Sequence, residues 1–361
     1  MQNDSYENLR QILDTHPSGA PASKYFDEIL RIYFTPVEAE LLCRMSFRVK
    51  TIDEILKGSD LDAKEVEKIL DKLSSKALIF SKTGKAGKSY ALLPTIPGLF
   101  EFPFMKGITS PELEKLAGLW EKYHVDSLGN GFSGNPTPLA RVIPVESSVE
   151  SLSSIHPYEE VKEFITQSEY FALADCACRV SVAKCDRPKD VCLIFDAGGK
   201  FLVEKGFARQ ISKEEAFTVL DRSEEADLVH MSGNTKNKTY FICNCCPCCC
   251  TIMRGLTQLK HPHAFYTSSY FAALDPKECI SCGACLERCP VNAITIEDAS
   301  SRIDESRCIG CGLCVSSCPV DAISLQKRTI EPDIPETVQD MGIRVATEKG
   351  KIESFLKVMT S

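Results

Sequence analysis

Residues 279–297 read CISCGACLERCPVNAITIE, and residues 308–326 repeat the pattern as CIGCGLCVSSCPVDAISLQ. Each run follows C-x2-C-x2-C-x3-C-P, the spacing that holds bacterial-type 4Fe–4S clusters. Three thiolates two residues apart wrap one corner of a cube. Gly283 or Gly312 lets backbone N–H groups approach the sulfides, and Pro290 or Pro319 turns the chain away after the fourth cysteine. In this arrangement the fourth cysteine of each run serves the other cluster. The expected ligand sets are therefore Cys279, Cys282, Cys285 and Cys318 for one cubane and Cys308, Cys311, Cys314 and Cys289 for its neighbour. A zinc ribbon would instead want two paired C-x2-C knuckles, without triple runs or the following proline.

The chain around these runs has 361 residues, enough for two or three domains with their own cores. Its 19 cysteines are unevenly placed: Cys43 alone lies in the first 175 residues, and the other eighteen lie between Cys176 and Cys318. The opening MQNDSYENLR lacks a positive n-region and an apolar h-region, so no signal peptide is expected. No apolar run is long enough for a membrane span. A cytoplasmic location follows as the expectation. A reducing thiol pool there disfavours structural disulfides, which leaves metal binding as the default for most of these thiols. The net charge of −8 argues against a protein that mainly holds nucleic-acid phosphates.

The two paired runs use eight cysteines and leave eleven. Cys43 sits on an apolar helical face and reads as a small buried residue. The other ten fall in two stretches. DCACRVSVAKCDRPKDVC (175–192) supplies Cys176, Cys178, Cys185 and Cys192. ICNCCPCCCTIM (242–253) supplies Cys243, Cys245, Cys246, Cys248, Cys249 and Cys250, six thiols in eight positions. Ten thiols exceed the needs of one cubane. They would cover two cubanes with two to spare, or one larger or non-cubane assembly. Adjacent cysteines point in different directions, so one loop is expected to bridge neighbouring metals or serve two clusters. Pro247 stiffens the bend, and TIMRGLTQL after it offers a helix N-terminus to an anionic cluster. Arg179, Lys184 and Arg254 are candidate counter-charges. Zinc on a few of these thiols is an alternative. A redox dithiol lacks the usual C-x-x-C frame beside a βαβ unit. His261 and His263 in KHPHAFY are candidate ligands, although a plain loop histidine is the simpler reading; His156 and Asp175 have no partner in view.

The fold class expected is a multidomain α+β chain. Residues 1–98 give three helical patterns and a hairpin around Gly84 and Gly87, a winged-helix-like domain. In its third helix Asp62, Glu65, Glu67 and Asp71 offset Lys64, Lys68, Lys72 and Lys76, so DNA binding is not expected and docking or homodimerisation is the simpler use. GKAGKS in the wing has only two residues between its glycines and fails as a phosphate loop. Residues 99–150 read as a connector, its LFEFPFMKG part packing on a neighbour. Residues 151–266 form a mixed α/β Cys-rich domain with a helix in PYEEVKEFITQ, strands in EYFALADC, VCLIFDA, DLVHMS and TYFICN, and a helix capped by Ser212 with Glu215. Residues 267–327 form the two-cluster domain, and residues 328–361 a tail ending in the amphipathic KIESFLKVM.

The paired runs resemble the two-cluster bacterial ferredoxins over about fifty residues, with every ligand position matched. That resemblance implies a pseudo-twofold fold of hairpins and helices, two [4Fe–4S] clusters and one-electron transfer. The whole chain resembles a family of multicluster ferredoxin-like proteins of anaerobic microbes, through its winged-helix start, DCACR…C…VC, ICNCCPCCC and the paired runs. The family implies 4Fe–4S binding, with one or two further iron–sulfur clusters in the middle domain, non-cubane forms included, and says little of a substrate. Three functions follow as expectations. The first is an electron-transfer protein passing low-potential electrons between the middle domain and the C-terminal cubanes, docking by its acidic balance on a redox partner protein. The second is a reductase whose middle cluster reduces a disulfide or another small molecule. The third is a redox-sensing regulator acting through the winged helix. No flavin, nicotinamide or nucleotide motif is present, so the electron donor is expected to be a protein.

Overall fold

Thr35 begins the best-specified helix near the N-terminus. Its hydroxyl accepts from the Glu38 N–H while the Glu38 carboxylate accepts from the Thr35 N–H, and Pro36 occupies the first helical position. The same reciprocal cap recurs at Thr51 and Glu54. The computed structural model in which these contacts are seen describes residues 4–85, 87–149, 155–156, 159–297 and 300–360.

The N-terminal unit comprises α1 (Ser5–Leu13), α2 (Lys24–Tyr33), α3 (Pro36–Leu42), β1 (Lys50–Thr51), α4 (Ile52–Leu56), α5 (Ala63–Ser75), β2 (Ile79–Gly84) and β3 (Gly87–Leu92). The strands form a small antiparallel sheet in the order β1-β3-β2, with Gly84 facing Gly87 at the hairpin end. Val66, Leu70 and Leu73 of α5 are buried; Ile69 is half-buried. Cys43 is half-buried, its thiol donating to the Ala39 carbonyl at 3.2 Å, and burial pushes it up to about 11.

Beyond residue 98 the chain forms α6 (Pro111–Tyr123), capped by Ser110 with Pro111 at its first position. It packs on α2, where Phe26 stacks on Tyr123 at 4.7 Å and Trp120 donates to the Tyr33 hydroxyl. Phe100 and Phe104 join this core, and Phe102 lies 6.3 Å from Phe201 across from it. The stretch read as a connector thus carries a regular helix.

After α7 (Gly129–Ser133) come β4 (Ala140–Val142), α8 (Glu146–Val149), α9 (Val161–Gln167), β5 (Phe171–Asp175), α10 (Ala177–Val182), β6 (Asp190–Phe195), α11 (Asp196–Glu204), β7 (Arg209–Ile211), α12 (Lys213–Glu225), β8 (Val229–Gly233), β9 (Phe241–Cys245) and α13 (Thr251–Thr257). The start of the helix expected in PYEEVKEFITQ, at Pro157 and Tyr158, lies outside the described residues, as does the boundary at 150–151. Six strands form one sheet in the order β4-β8-β9-β6-β5-β7, with every neighbouring pair antiparallel. Its interior strands are apolar on both faces, because α9 and α12 cover one side and α11 lies on the other.

The C-terminal region pairs β10 (Tyr270–Leu274) through α14 (Ala284–Arg288), β11 (Ile294–Glu297), β12 (Ser300–Ile303) and α15 (Leu313–Ser316) to β13 (Ile323–Lys327). The strands form two antiparallel two-stranded sheets, one joining β10 near the region's start to β13 at its end and the other pairing β11 with β12. Two last helices follow, α16 (Val338–Glu348) and α17 (Ile352–Thr360). The end of α16 is tied to the body: Glu348 accepts from Thr137, Lys349 donates to the Pro17 carbonyl, and Lys351 pairs with Asp14 at 2.5 Å.

Candidate metal centre

Three sheet strands and two turns deliver the middle cysteines to one edge. Cys176 follows the end of β5, Cys192 sits near the start of β6, and these antiparallel strands place Ala174 opposite Cys192. The β6–β9 register pairs Leu193 with Ile242, so the next step along puts Cys192 beside Cys243. Side chains alternate along a strand. Cys243 and Cys245 therefore share one face of β9, and Cys246 begins the turn leading away.

The result is two groups of thiols. Cys185, Cys246, Cys248 and Cys249 have sulfurs all within 4.8 Å of one another. The separations from Cys185 to Cys246, from Cys185 to Cys249 and from Cys248 to Cys249 are each 3.8 Å. The other six form a chain of thiol contacts, from Cys176 to Cys178, on to Cys250, Cys245, Cys243 and Cys192. Cys178 also meets the Thr251 hydroxyl at 3.4 Å. All nineteen cysteines are free thiols, so neither group is a disulfide staple. In each group some thiols are held down at their neighbours' expense, Cys246 in the first and Cys243 and Cys250 in the second. Cys246 is lowered by the Cys249 thiol and by Arg179, and Cys250 by Cys178 and Cys245. The thiolate is the metal-binding form.

Arg179 lies between the groups on α10 and is 0% exposed. Its Nη1 donates to the Asn244 carbonyl at 2.9 Å, while Nε and Nη2 have no partner of the usual kind. Burial works against its charge, but the sulfurs of Cys176, Cys246 and Cys245 outweigh that and raise it. The other two expected counter-charges are differently used. Arg254, 2% exposed, makes a two-pronged pair with Glu121 at 2.7 and 2.8 Å, and Lys184 reaches the same carboxylate at 3.2 Å. Glu101, which the sequence did not single out, stands beside Cys243. Burial pushes its carboxyl up to about 8 although it accepts from the Gly98 N–H. His261 turns instead to Asn130 at 2.8 Å, His263 is exposed, and His156 meets Glu331.

In the C-terminal region, Cys279, Cys282, Cys285 and Cys318 line one cavity, and Cys289, Cys308, Cys311 and Cys314 line another. Each set draws three cysteines from one run and the fourth from the other. Backbone N–H groups already point at sulfur: Ala293 donates to Cys289 and Ala322 to Cys318, both at 3.2 Å, and Ala272 donates to Cys308 at 3.4 Å. Gly283 and Gly312 take φ of 83° and 81°, the left-handed conformation that brings backbone N–H groups round towards the cavities. The first cavity opens outward at the exposed Cys282; Cys311 and Cys314 of the second are buried.

These residues fit iron–sulfur binding. The donors are convergent free thiols, a soft set suited to iron–sulfur clusters and zinc. The buried guanidinium with two unpartnered nitrogens answers the negative charge such a site would carry.

With that geometry in view, residues 272–325 match the 4Fe-4S dicluster domain family, and residues 307–348 match a second family of the same description. The C-terminal region is thus ferredoxin-like and of the iron–sulfur class. No curated protein matches the chain. Among the described residues no helix is long and apolar enough to cross a membrane.

Proposed function

We propose that this chain is an iron–sulfur electron-transfer protein, in which a thiol-rich middle domain exchanges electrons with two C-terminal 4Fe–4S sites. In the C-terminal region Cys279, Cys282, Cys285 and Cys318 hold one cluster, and Cys289, Cys308, Cys311 and Cys314 the other. Clusters so bound supply one-electron steps at potentials set by charge, hydrogen bonds to sulfur and exposure.

The observation that carries this reading is a shared apolar core. Cys245 and Cys250, with Cys243 at its edge, pack in one cluster with Cys311, Ile309 and Leu313, and with the half-buried Cys289 and Cys308. The six-thiol group and the inner ferredoxin-like cavity are therefore bordered by one continuous apolar core. The chain's own residues do three things here. They bury the inner thiols, keep backbone N–H groups on the sulfurs, and leave Cys282 at the surface as the point of exchange with a redox partner. The winged-helix-like unit serves as a docking module in this scheme. Lys72 is paired with Glu38, and Lys88 with Glu67 and Asp71, which leaves these cations partly neutralised.

The test is a metal count on anaerobically purified chain. About eight irons belong to the C-terminal region, so the intact chain is expected to carry clearly more. Replacing Cys245 and Cys246 together by Ala is expected to remove the surplus and leave the signal of the two ferredoxin-type clusters. A chain that holds about eight irons and no other metal before mutation overturns the middle-domain role.

A further inference from the structure

The spacing of the four-thiol group carries more than its membership. Four sulfurs bound tetrahedrally to one ion at about 2.3 Å lie about 3.8 Å from one another. Of the six sulfur–sulfur separations among Cys185, Cys246, Cys248 and Cys249, three are 3.8 Å, and all six lie within 4.8 Å. In a four-iron cube each thiolate sits on a different iron, so the thiolates stand farther apart than ligands of a single ion. The chain supplies its own yardstick. Its two C-terminal cysteine sets have 4Fe–4S spacing in sequence and surround cavities. Yet among the described residues only the Cys185 group draws His, Cys, Asp or Glu side chains tightly enough together for one ion.

The backbone points the same way. Cys246-Pro247-Cys248-Cys249 is a C-x2-C turn whose Cys249 N–H is directed at the Cys246 sulfur, and the Lys184 N–H is directed at that of Cys249. A knuckle of this spacing grips one tetrahedral metal, and its N–H groups stabilise the thiolates. The six remaining thiols are different. They follow one another as an extended chain of contacts and exceed the four positions of a single ion.

We propose that Cys185, Cys246, Cys248 and Cys249 hold one tetrahedral thiophilic cation, zinc or mononuclear iron. Cys176, Cys178, Cys192, Cys243, Cys245 and Cys250 surround a separate polynuclear cluster. This rests on the reading that the middle thiols bind metal. The single ion pins the loop carrying Cys185 to the Pro247 turn, and so fixes the strand end from which Cys243 and Cys245 project.

The full chain, purified anaerobically, is assayed for zinc and iron, alongside the single variants Cys185→Ser and Cys248→Ser. Each variant is expected to lose about one ion per chain while the iron of the clusters is retained. Zinc absorption spectroscopy, or the Mössbauer signal of a lone tetrathiolate iron, tells the two sources apart. Because a variant that misfolds would also lose metal, the unmutated chain loaded with cobalt gives the second reading: its absorption is expected to show a tetrathiolate cobalt with no metal neighbour. Loss of about four irons from either variant, or metal–metal scattering from this site, overturns the single ion while leaving the electron-transfer reading in place. A middle region with no metal of any kind overturns both.

Discussion

At the scale of single residues, Arg179 shows what the fold does with a charge. The sequence offered Arg179, Lys184 and Arg254 as equivalent cations near the thiols. The structure spends two of them on Glu121 and leaves Arg179 facing sulfur with two nitrogens unpartnered. A buried charge that loses its partner costs about 3–5 kcal/mol, whereas a half-exposed pair such as Lys184–Glu121 is worth at most about 1 kcal/mol. The variant Arg179→Gln is therefore expected to strip most metal from the middle region while about eight irons remain C-terminal, and Lys184→Gln to leave both untouched. Metal analysis of the two variants side by side checks this. Equal losses would mean that the cations act only through general folding.

At the scale of elements, the two ferredoxin-type runs are near copies in sequence but not in surroundings. A Cβ on Gly312 would lie 2.1 Å from the Ser148 hydroxyl oxygen and 3.0 Å from Val145, because the second run docks on α8. A Cβ on Gly283 would meet only Ile296, at 3.8 Å. Both glycines have positive φ, so alanine costs about 1–2 kcal/mol at either position. At Gly312 overpacking adds about 1–3 kcal/mol. Gly312→Ala is thus expected to lower the unfolding temperature clearly more than Gly283→Ala, as read by the loss of iron–sulfur absorbance on heating. A smaller effect at Gly312 would contradict the docking of the second run on the middle region.

Legibility in the sequence divides along the same lines. The apolar runs that became β5, β6, β8 and β9, and the Ser212 cap of α12, were visible because short continuous apolar runs and capping are local properties. The helix α11 was hidden, since DAGGKFLVE carries two glycines. Its Gly199 is needed for contact, as a Cβ there would lie 2.8 Å from the Ile194 carbonyl oxygen and 3.2 Å from Ala172 on the sheet. The Ser110–Pro111 start of α6 was a local signal that the aromatic stretch before it obscured. The two thiol groups could not be read at all. Cys185 falls between Cys178 and Cys192 in the chain, and Cys246, Cys248 and Cys249 fall between Cys245 and Cys250. Only the strand register and the turn at Pro247 separate them.

At the scale of the whole molecule, the cores differ in what they are made of. The N-terminal core is built from aromatic and aliphatic side chains such as Phe26, Trp120 and Tyr123, and it reaches α10 through Ala177 and Val180. The cores of the sheet and of the C-terminal region instead count cysteines among their buried members, Cys246 and Cys249 in one, Cys245, Cys250 and Cys311 in another, and Cys285 and Cys314 in a third. In the function proposed above, thiolates take the place of aliphatic groups there, bound metal supplies cohesion that packing would otherwise provide, and metal binding becomes part of the folding free energy. Stability is then expected to be uneven along the chain. Chelating the metals from the reduced protein should strip hydrogen-exchange protection from β10 to β13 and from the cysteine-bearing ends of β5, β6 and β9, while α2 and α6 keep theirs and Trp120 keeps its fluorescence. Amide exchange before and after chelation measures this directly. If protection falls together in all of these elements, the N-terminal core depends on the metal sites through α10, and the chain unfolds as one unit.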